Sequence, residues 1–413
     1  MIRKLDLAKL RRVVADMGDD DLFWTDLRVI LSNIAQVETS KLLGKAQEQI
    51  KNPLGNALGA RIRRAILDGL PFHVYMVLPV HPEGPLNNIA IASQIHLTMQ
   101  SLVFGSHSLV NTIRRAIVEK RRREAAPGMS DDERRALYRQ IDAMAIPDLV
   151  KAVPDAWNQY LTLLNLRSWA TLNGQPVTEQ IYVHSKLLIA DDRLAILGSA
   201  NINDRSLLGD RDSELAMMIH DGESVRVLLD GKRQIAVSKG VHGLRTQLWR
   251  KLFGLAGNCS APASELAAVI DQPACAATWK EIQRRATANA RSYGEAFGYV
   301  YHSKDNDRRE SIWATWDQTK GRQSARMPFQ ETFWRSPAPT DKPCSWEAKT
   351  NPKASAPAGI QGFFCALPIR WTAGENNESG LNLTLLANND GPPLDTTSGM
   401  ALAATSGIHE PKA

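Results

Sequence analysis

IYVHSKLLIADDRLAILGSANINDRSLLGDRDSE, residues 181–214, decides how this chain is read. Its aliphatic and β-branched runs, broken at Asp191-Asp192, predict a strand from Ile181 and a second over LAILGSA. A third is expected over ELAMMIH from Glu214. Alternate side chains of a strand share a face, so His184 and Lys186 are expected side by side. An imidazole beside an ammonium suits a phosphodiester. Lys186 can bind a non-bridging oxygen as a point charge. His184 can either shuttle a proton or attack phosphorus near neutral pH. The glycine of Gly198-Ser199-Ala200-Asn201 lets backbone approach a ligand. Ser199 and Asn201 then offer neutral donors to phosphate oxygens. Glu214 is placed to hold the far imidazole nitrogen and fix its tautomer, as triad acids do.

Outward from this block, apolar residues at helical spacing predict a helix over 56–68 that stops at Asp68-Gly69. FHVYMVLPV, residues 72–80, reads as a strand ending in a Pro/Gly turn. Helix followed by buried strand is an α/β rhythm. Helix is predicted over 89–123 with a break near Gly105, over 131–143, over 223–236 and over 244–252. The basic run Arg114 to Arg123 reads as a solvated helix face, with a membrane or nucleic-acid contact as the alternative. From about Gly254 the chain turns rich in tryptophan, proline and polar residues with few periodic runs, and 391–413 reads as a disordered tail.

The bulk properties bound these readings. With 413 residues, 43% of them hydrophobic and 23% charged, the chain is long enough to bury a sizeable core. A net charge of +6 permits an anionic partner without demanding one. Cys259, Cys275, Cys344 and Cys365 show no CxxC or Cys/His finger spacing, which argues against a zinc site and for a reduced compartment. No apolar run reaches the length of a membrane span, and the charged start lacks the apolar stretch of a signal peptide.

The string from Ile181 to Glu214, with its His184-x-Lys186-x-x-x-x-Asp191 spacing, closely resembles the second active-site block of eukaryotic-type phospholipases D. LRTQLWRKLFG from Leu244 resembles the LRxxLW segment that follows this block in the family, and PVTEQ before it fits as well. GIQGFFCALPIRWTAGENN, residues 359–377, is similar to the tail of bacterial phospholipase D effectors delivered by type VI secretion. The resemblance implies an α/β fold, a mixed sheet flanked by helices forming the C-terminal half of a bilobal enzyme, with an irregular C-terminal extension. It implies a partial segment over 1–50, a catalytic domain over 51–255, an extension over 256–390 and the tail. Under it His184 is the general acid on the leaving alcohol and then activates the hydrolytic water. Lys186, Ser199 and Asn201 bind phosphate, Asp191 is the motif aspartate with a structural role, and Glu214 orients the histidine. No metal or other cofactor is implied. The implied substrate is a glycerophospholipid at a membrane surface, and the implied location is cytoplasmic at synthesis with delivery by a specialised secretion system.

The sequence also departs from the pattern. Family members carry two such blocks, the first supplying a nucleophilic histidine. Here the second candidate, His302-Ser303-Lys304, has Arg309 at the aspartate position and no GSxN after it. QVETSKLLG, from Gln36, lacks the aromatic residues of the family's YIENQFF-like strand. The chain therefore reads as the C-terminal half of a longer enzyme. Three readings follow: a half-enzyme completed by a partner chain, a homodimer pairing two copies of His184, and an inactive remnant. A nuclease of the same superfamily is the alternative activity.

Overall fold

The structure, a computed structural model, describes residues 52–80, 98–207, 213–255, 270–297, 300, 315–317, 322–324 and 356–369. Helix α1, Leu54–Asp68, buries the stripe Ile62, Ala65 and Ile66. It ends where the sequence says it should: Gly69 takes a left-handed φ of 68°, and the Leu70 amide donates to the Ala65 carbonyl at 2.9 Å. Strand β1, Val74–Val77, is shorter than its predicted 72–80. A π-helical turn, Gln100–Phe104, then precedes α2, Leu109–Ala125, so the predicted break near Gly105 is real. Ser108 caps α2 by accepting the Asn111 amide at 3.2 Å. Helix α3, Asp131–Asp142, starts with a capping box between Ser130 and Glu133, and α4, Ile146–Ala152, follows.

Strand β2, Leu161–Leu172, organises the interior. β1 lies parallel to it, from Val74 opposite Leu161 to Val77 opposite Leu164. β11, Phe364–Ala366, lies antiparallel on its other side, with Phe364 opposite Leu166. All of Leu161 to Leu166 is buried. Leu161 and Leu163 pack with Ile62, Val110, Ile113 and Trp157, while Leu164 and Leu166 pack with Phe253, Ile282 and Phe364. One strand thus feeds two cores, with α1 and α2 on one face and helix α6, Ala276–Ala296, on the other. This is the expected α/β arrangement of a mixed sheet between helices. Beyond Leu166, β2 continues as an antiparallel ribbon with β3, Gln175–Gln180.

A second sheet, antiparallel in the order β4-β5-β6, is built from Lys186–Ala190, Leu194–Gly198 and Ala216–Ile219. Its ladder begins at Lys186 rather than at Ile181. The helix predicted over 223–236 is instead a hairpin, β7 Ser224–Val227 paired with β8 Ile235–Ser238, turning at Asp230-Gly231. Helix α5, Lys239–Leu252, follows and extends the predicted 244–252 backwards. Thr315–Asp317 and Arg322–Ser324 form a further two-stranded pair, β9 and β10.

The basic run in α2 is not a solvated face over its whole length. Arg114 is 7% exposed and donates to the Val153 and Pro154 carbonyls at 2.9 Å. Arg115 is buried as well, and Glu119, only 1% exposed, accepts from both Arg63 and Arg123. Buried charges need such partners, and here the run ties α2 to α1 and to the α4 connection. No described helix is long and apolar enough to cross a membrane. The segment 1–50, the tail 391–413 and His302-Ser303-Lys304 lie outside the described residues.

Candidate active site

The three strands of the second sheet converge at one end on a single row: Lys186, Gly198 and Ala216 pair across β4, β5 and β6. His184 lies two residues before this row, exposed, with its ring 6.2 Å from the ring of Tyr182. The Lys186 ammonium turns back to donate to the His184 carbonyl at 2.6 Å. The ammonium therefore lies against the backbone of His184, which precedes the strand rather than belonging to it.

Ser199 prolongs the β5–β6 ladder, its amide donating to the Leu215 carbonyl at 2.9 Å. Its hydroxyl accepts the Leu215 amide at 3.0 Å and donates to the Glu214 carboxylate. The acid that the resemblance assigns to the imidazole is thus engaged by Ser199, one of the residues to which the resemblance assigns phosphate. Asn201 is exposed, and its carbonyl accepts the Asn203 amide at 2.9 Å in the turn that follows. Strand pairing brings Lys186, Ser199 and Glu214 to one end of one sheet, with His184 in the chain leading into β4 and Asn201 in the loop beyond.

The motif aspartate has a different place. Asp191 and Asp192 form the β4–β5 turn, both left-handed, with φ of 51° and 56°, and the Arg193 amide donates to the Ala190 carbonyl at 2.9 Å. Aspartate is among the few non-glycine residues that adopt this conformation readily. Asp191 is exposed at the tip. Asp192, 1% exposed, accepts Arg245 Nε at 2.7 Å on Oδ1 and Arg245 Nη2 at 2.8 Å on Oδ2. His242 Nδ1 lies 2.7 Å from the same Oδ2. Arg245, itself 4% exposed, also reaches the Ile270 carbonyl at 3.0 Å and lies 5.1 Å from the centre of the Trp249 ring. Trp249 packs edge-on against Tyr75, whose hydroxyl donates to Pro273. Burial pushes the Tyr75 phenol far up, so it stays neutral. Sequence reasoning did not single out Asp192, His242 or Arg245. The signals were the doubled aspartate and the arginine of the LRxxLW segment.

Among the described residues no group of three or more His, Cys, Asp or Glu is arranged to hold a metal. The buried Cys365 thiol is pushed up to about 12 by its surroundings and is no nucleophile at neutral pH.

Comparison with known proteins identifies the family. A family model described as phospholipase D matches residues 37–300, which contain the whole constellation. Phospholipase D1 of Rattus norvegicus is 33% identical over 252 residues, 60% of this chain and 19% of that protein. Phospholipase D A of Dictyostelium discoideum is 32% identical over 220 residues, 53% of this chain and 14% of its own length. Phospholipase D2 of Bos taurus is 33% identical over 253 residues, 60% of this chain and 22% of that protein. The chain thus spans about a fifth of the curated relatives it matches. With the matching residues running through both sheets and the site at the end of the second, the chain belongs to the phospholipase D family.

Proposed function

We propose that the chain supplies the acid–base half of a phospholipase D-type site that hydrolyses a glycerophospholipid to phosphatidic acid and its head-group alcohol. In this reading His184, protonated, gives its proton to the leaving alkoxide as the P–O bond breaks. The neutral imidazole then takes a proton from the water that releases the enzyme-bound phosphate. Lys186, Ser199 and Asn201 hold the phosphate oxygens, and Glu214 orients this set through the Ser199 hydroxyl. The observation that carries the reading is the gathering of Lys186, Ser199 and Glu214 at one end of the β4-β5-β6 sheet beside the exposed imidazole.

In this reading the nucleophilic imidazole comes from a second HxKxxxxD block, which an N-terminal-half partner or a second copy can supply. Leu197, Leu215 and Met217, at 38%, 70% and 55% exposure, give the sheet an apolar side that such a lobe would cover. The nuclease alternative leaned on the run from Arg114 to Arg123, much of which is engaged inside the fold. Delivery by a specialised secretion system belongs to the same proposal, on the resemblance of residues 359–377.

The test is hydrolysis of phosphatidylcholine and phosphatidylethanolamine vesicles by the full chain, alone and with a chain bearing another HxKxxxxD block. His184→Ala is expected to lower turnover at least about 100-fold with its melting temperature unchanged, because the ring is exposed. Cleavage of DNA with both lipids untouched overturns the lipid reading. Hydrolysis of neither substrate, partner included, leaves the inactive remnant.

A further inference from the structure

We propose that Asp192 is a positioning residue for the site, acting from the far end of the β4–β5 hairpin through its ion pair with Arg245. The inference rests on the reading of His184, Lys186 and Ser199 given above. The hairpin has two ends. Its open end carries Lys186 opposite Gly198, and Ser199 beyond. Its closed end is the turn at Asp191-Asp192, five residue rises from Lys186, roughly 17 Å at the usual strand spacing.

The closed end is held at several points against the β8–α5 corner. The Asp192 carboxylate takes two nitrogens of Arg245 and faces His242. The Asp192 carbonyl accepts the Ser238 amide at 3.1 Å, and Arg193 Nε donates to the Ala236 carbonyl at 3.0 Å. Arg245 in turn is fixed by the Ile270 carbonyl and by the ring of Trp249. Pinned at the β4–β5 turn by a bidentate, buried pair, the three-stranded sheet has its tilt set there. The position of Lys186 and Ser199 over the phosphate follows from that tilt.

The alternative is that the pair merely contributes stability. Buried ion pairs seldom do so, since removing both charges together is often neutral or stabilising, whereas removing one strands the other. Their best-attested role is fixing one arrangement among several. The two roles part in the double variant. Asp192→Asn alone strands Arg245 and is expected to lower both the melting temperature and turnover. Asp192→Asn with Arg245→Gln removes both charges. Under the positioning role its melting temperature returns to near that of the parent, while kcat stays at least about tenfold down with KM within about twofold.

Turnover is read on phosphatidylcholine vesicles with whichever partner supports activity. The Lys186, Gly198 and Ser199 amide resonances of the labelled full chain are followed in parallel. They are expected to move in both variants despite their distance from the turn, and this readout stands whether or not the parent turns over. Recovery of kcat by the double variant to within about twofold, or amide changes confined to the turn and α5, overturns the proposal. His184→Ala, assayed beside these variants, tests the functional reading separately: activity surviving there sinks that reading and not this one.

Discussion

Gly198 has no room for a methyl group. A Cβ built on it would lie 2.7 Å from Ala216 Cα and closer still to the Leu215 carbonyl oxygen. Gly198→Ala is expected to push β6 away from β5 and to part Glu214 from Ser199, at a cost of about 1–3 kcal/mol, as for other overpacked sites. Thermal melting and vesicle turnover should fall together, and a variant that melts with the parent would show that the strands yield freely. The motif string singled out His184, Lys186 and Ser199 as candidates, and the β4–β5–β6 ladder then fixes the neighbours of Lys186 and Ser199. Glu214 was legible as a candidate but not as the partner of Ser199, since residue spacing leaves the register of β6 open. Asp192 was not singled out. Asp191 satisfied the motif spacing, and only the left-handed turn decides which of two adjacent carboxylates points inward.

Among the elements, those with a clean period or a strong stop were read correctly in kind: α1, α3, α5 and the strands of the second sheet. The failures have physical causes. The helix expected over 223–236 fails because Val225 and Val227 alternate with polar residues, and Asp230 accepts the Lys232 and Arg233 amides at 2.9 and 2.8 Å to make the turn. Helix α6 was missed because its buried face includes Thr278, Glu281, Asn289 and three alanines, which blur the apolar period. Its polar members have work there: Asn289 donates to the Gln361 and Phe364 carbonyls at 2.9 and 2.7 Å and so holds β11 in the sheet. β2 hid for another reason, since LTLLNL shows no alternation: Thr162 and Asn165 are buried with the leucines, as in a strand covered on both faces.

At the scale of the whole molecule, His73 joins three elements. Its Nδ1 donates to the Gln159 carbonyl at 2.9 Å, so Nε2 accepts from the Thr162 hydroxyl at 2.7 Å, which in turn accepts from Gln283 of α6 at 2.8 Å. Trp279 stacks on the ring at 5.5 Å. Burial lowers the His73 pKa from 6.5 to about 4, partly opposed by the Gln159 bond. The folded chain therefore resists a proton that the unfolded chain accepts. Stability present above about pH 6.5 should be lost as the pH falls towards 4. Melting temperature against pH is expected to slope down across that window in the parent and to flatten in His73→Gln. An unchanged slope would assign the acid limb to other groups.

β2 carries a last consequence, in the time domain. Its first six residues are bonded to β1 and β11 and buried, whereas Trp169 and Leu172 of the ribbon are 36% and 48% exposed and rest on β3 alone. Solvent deuterium should reach the amides of residues 169–172 through local fraying, and those of residues 162–166 only when the whole chain opens. A single continuous strand would then hold the slowest and some of the fastest clocks in the protein. Uniform exchange along its length would show that the ribbon is clamped by something other than its own ladder.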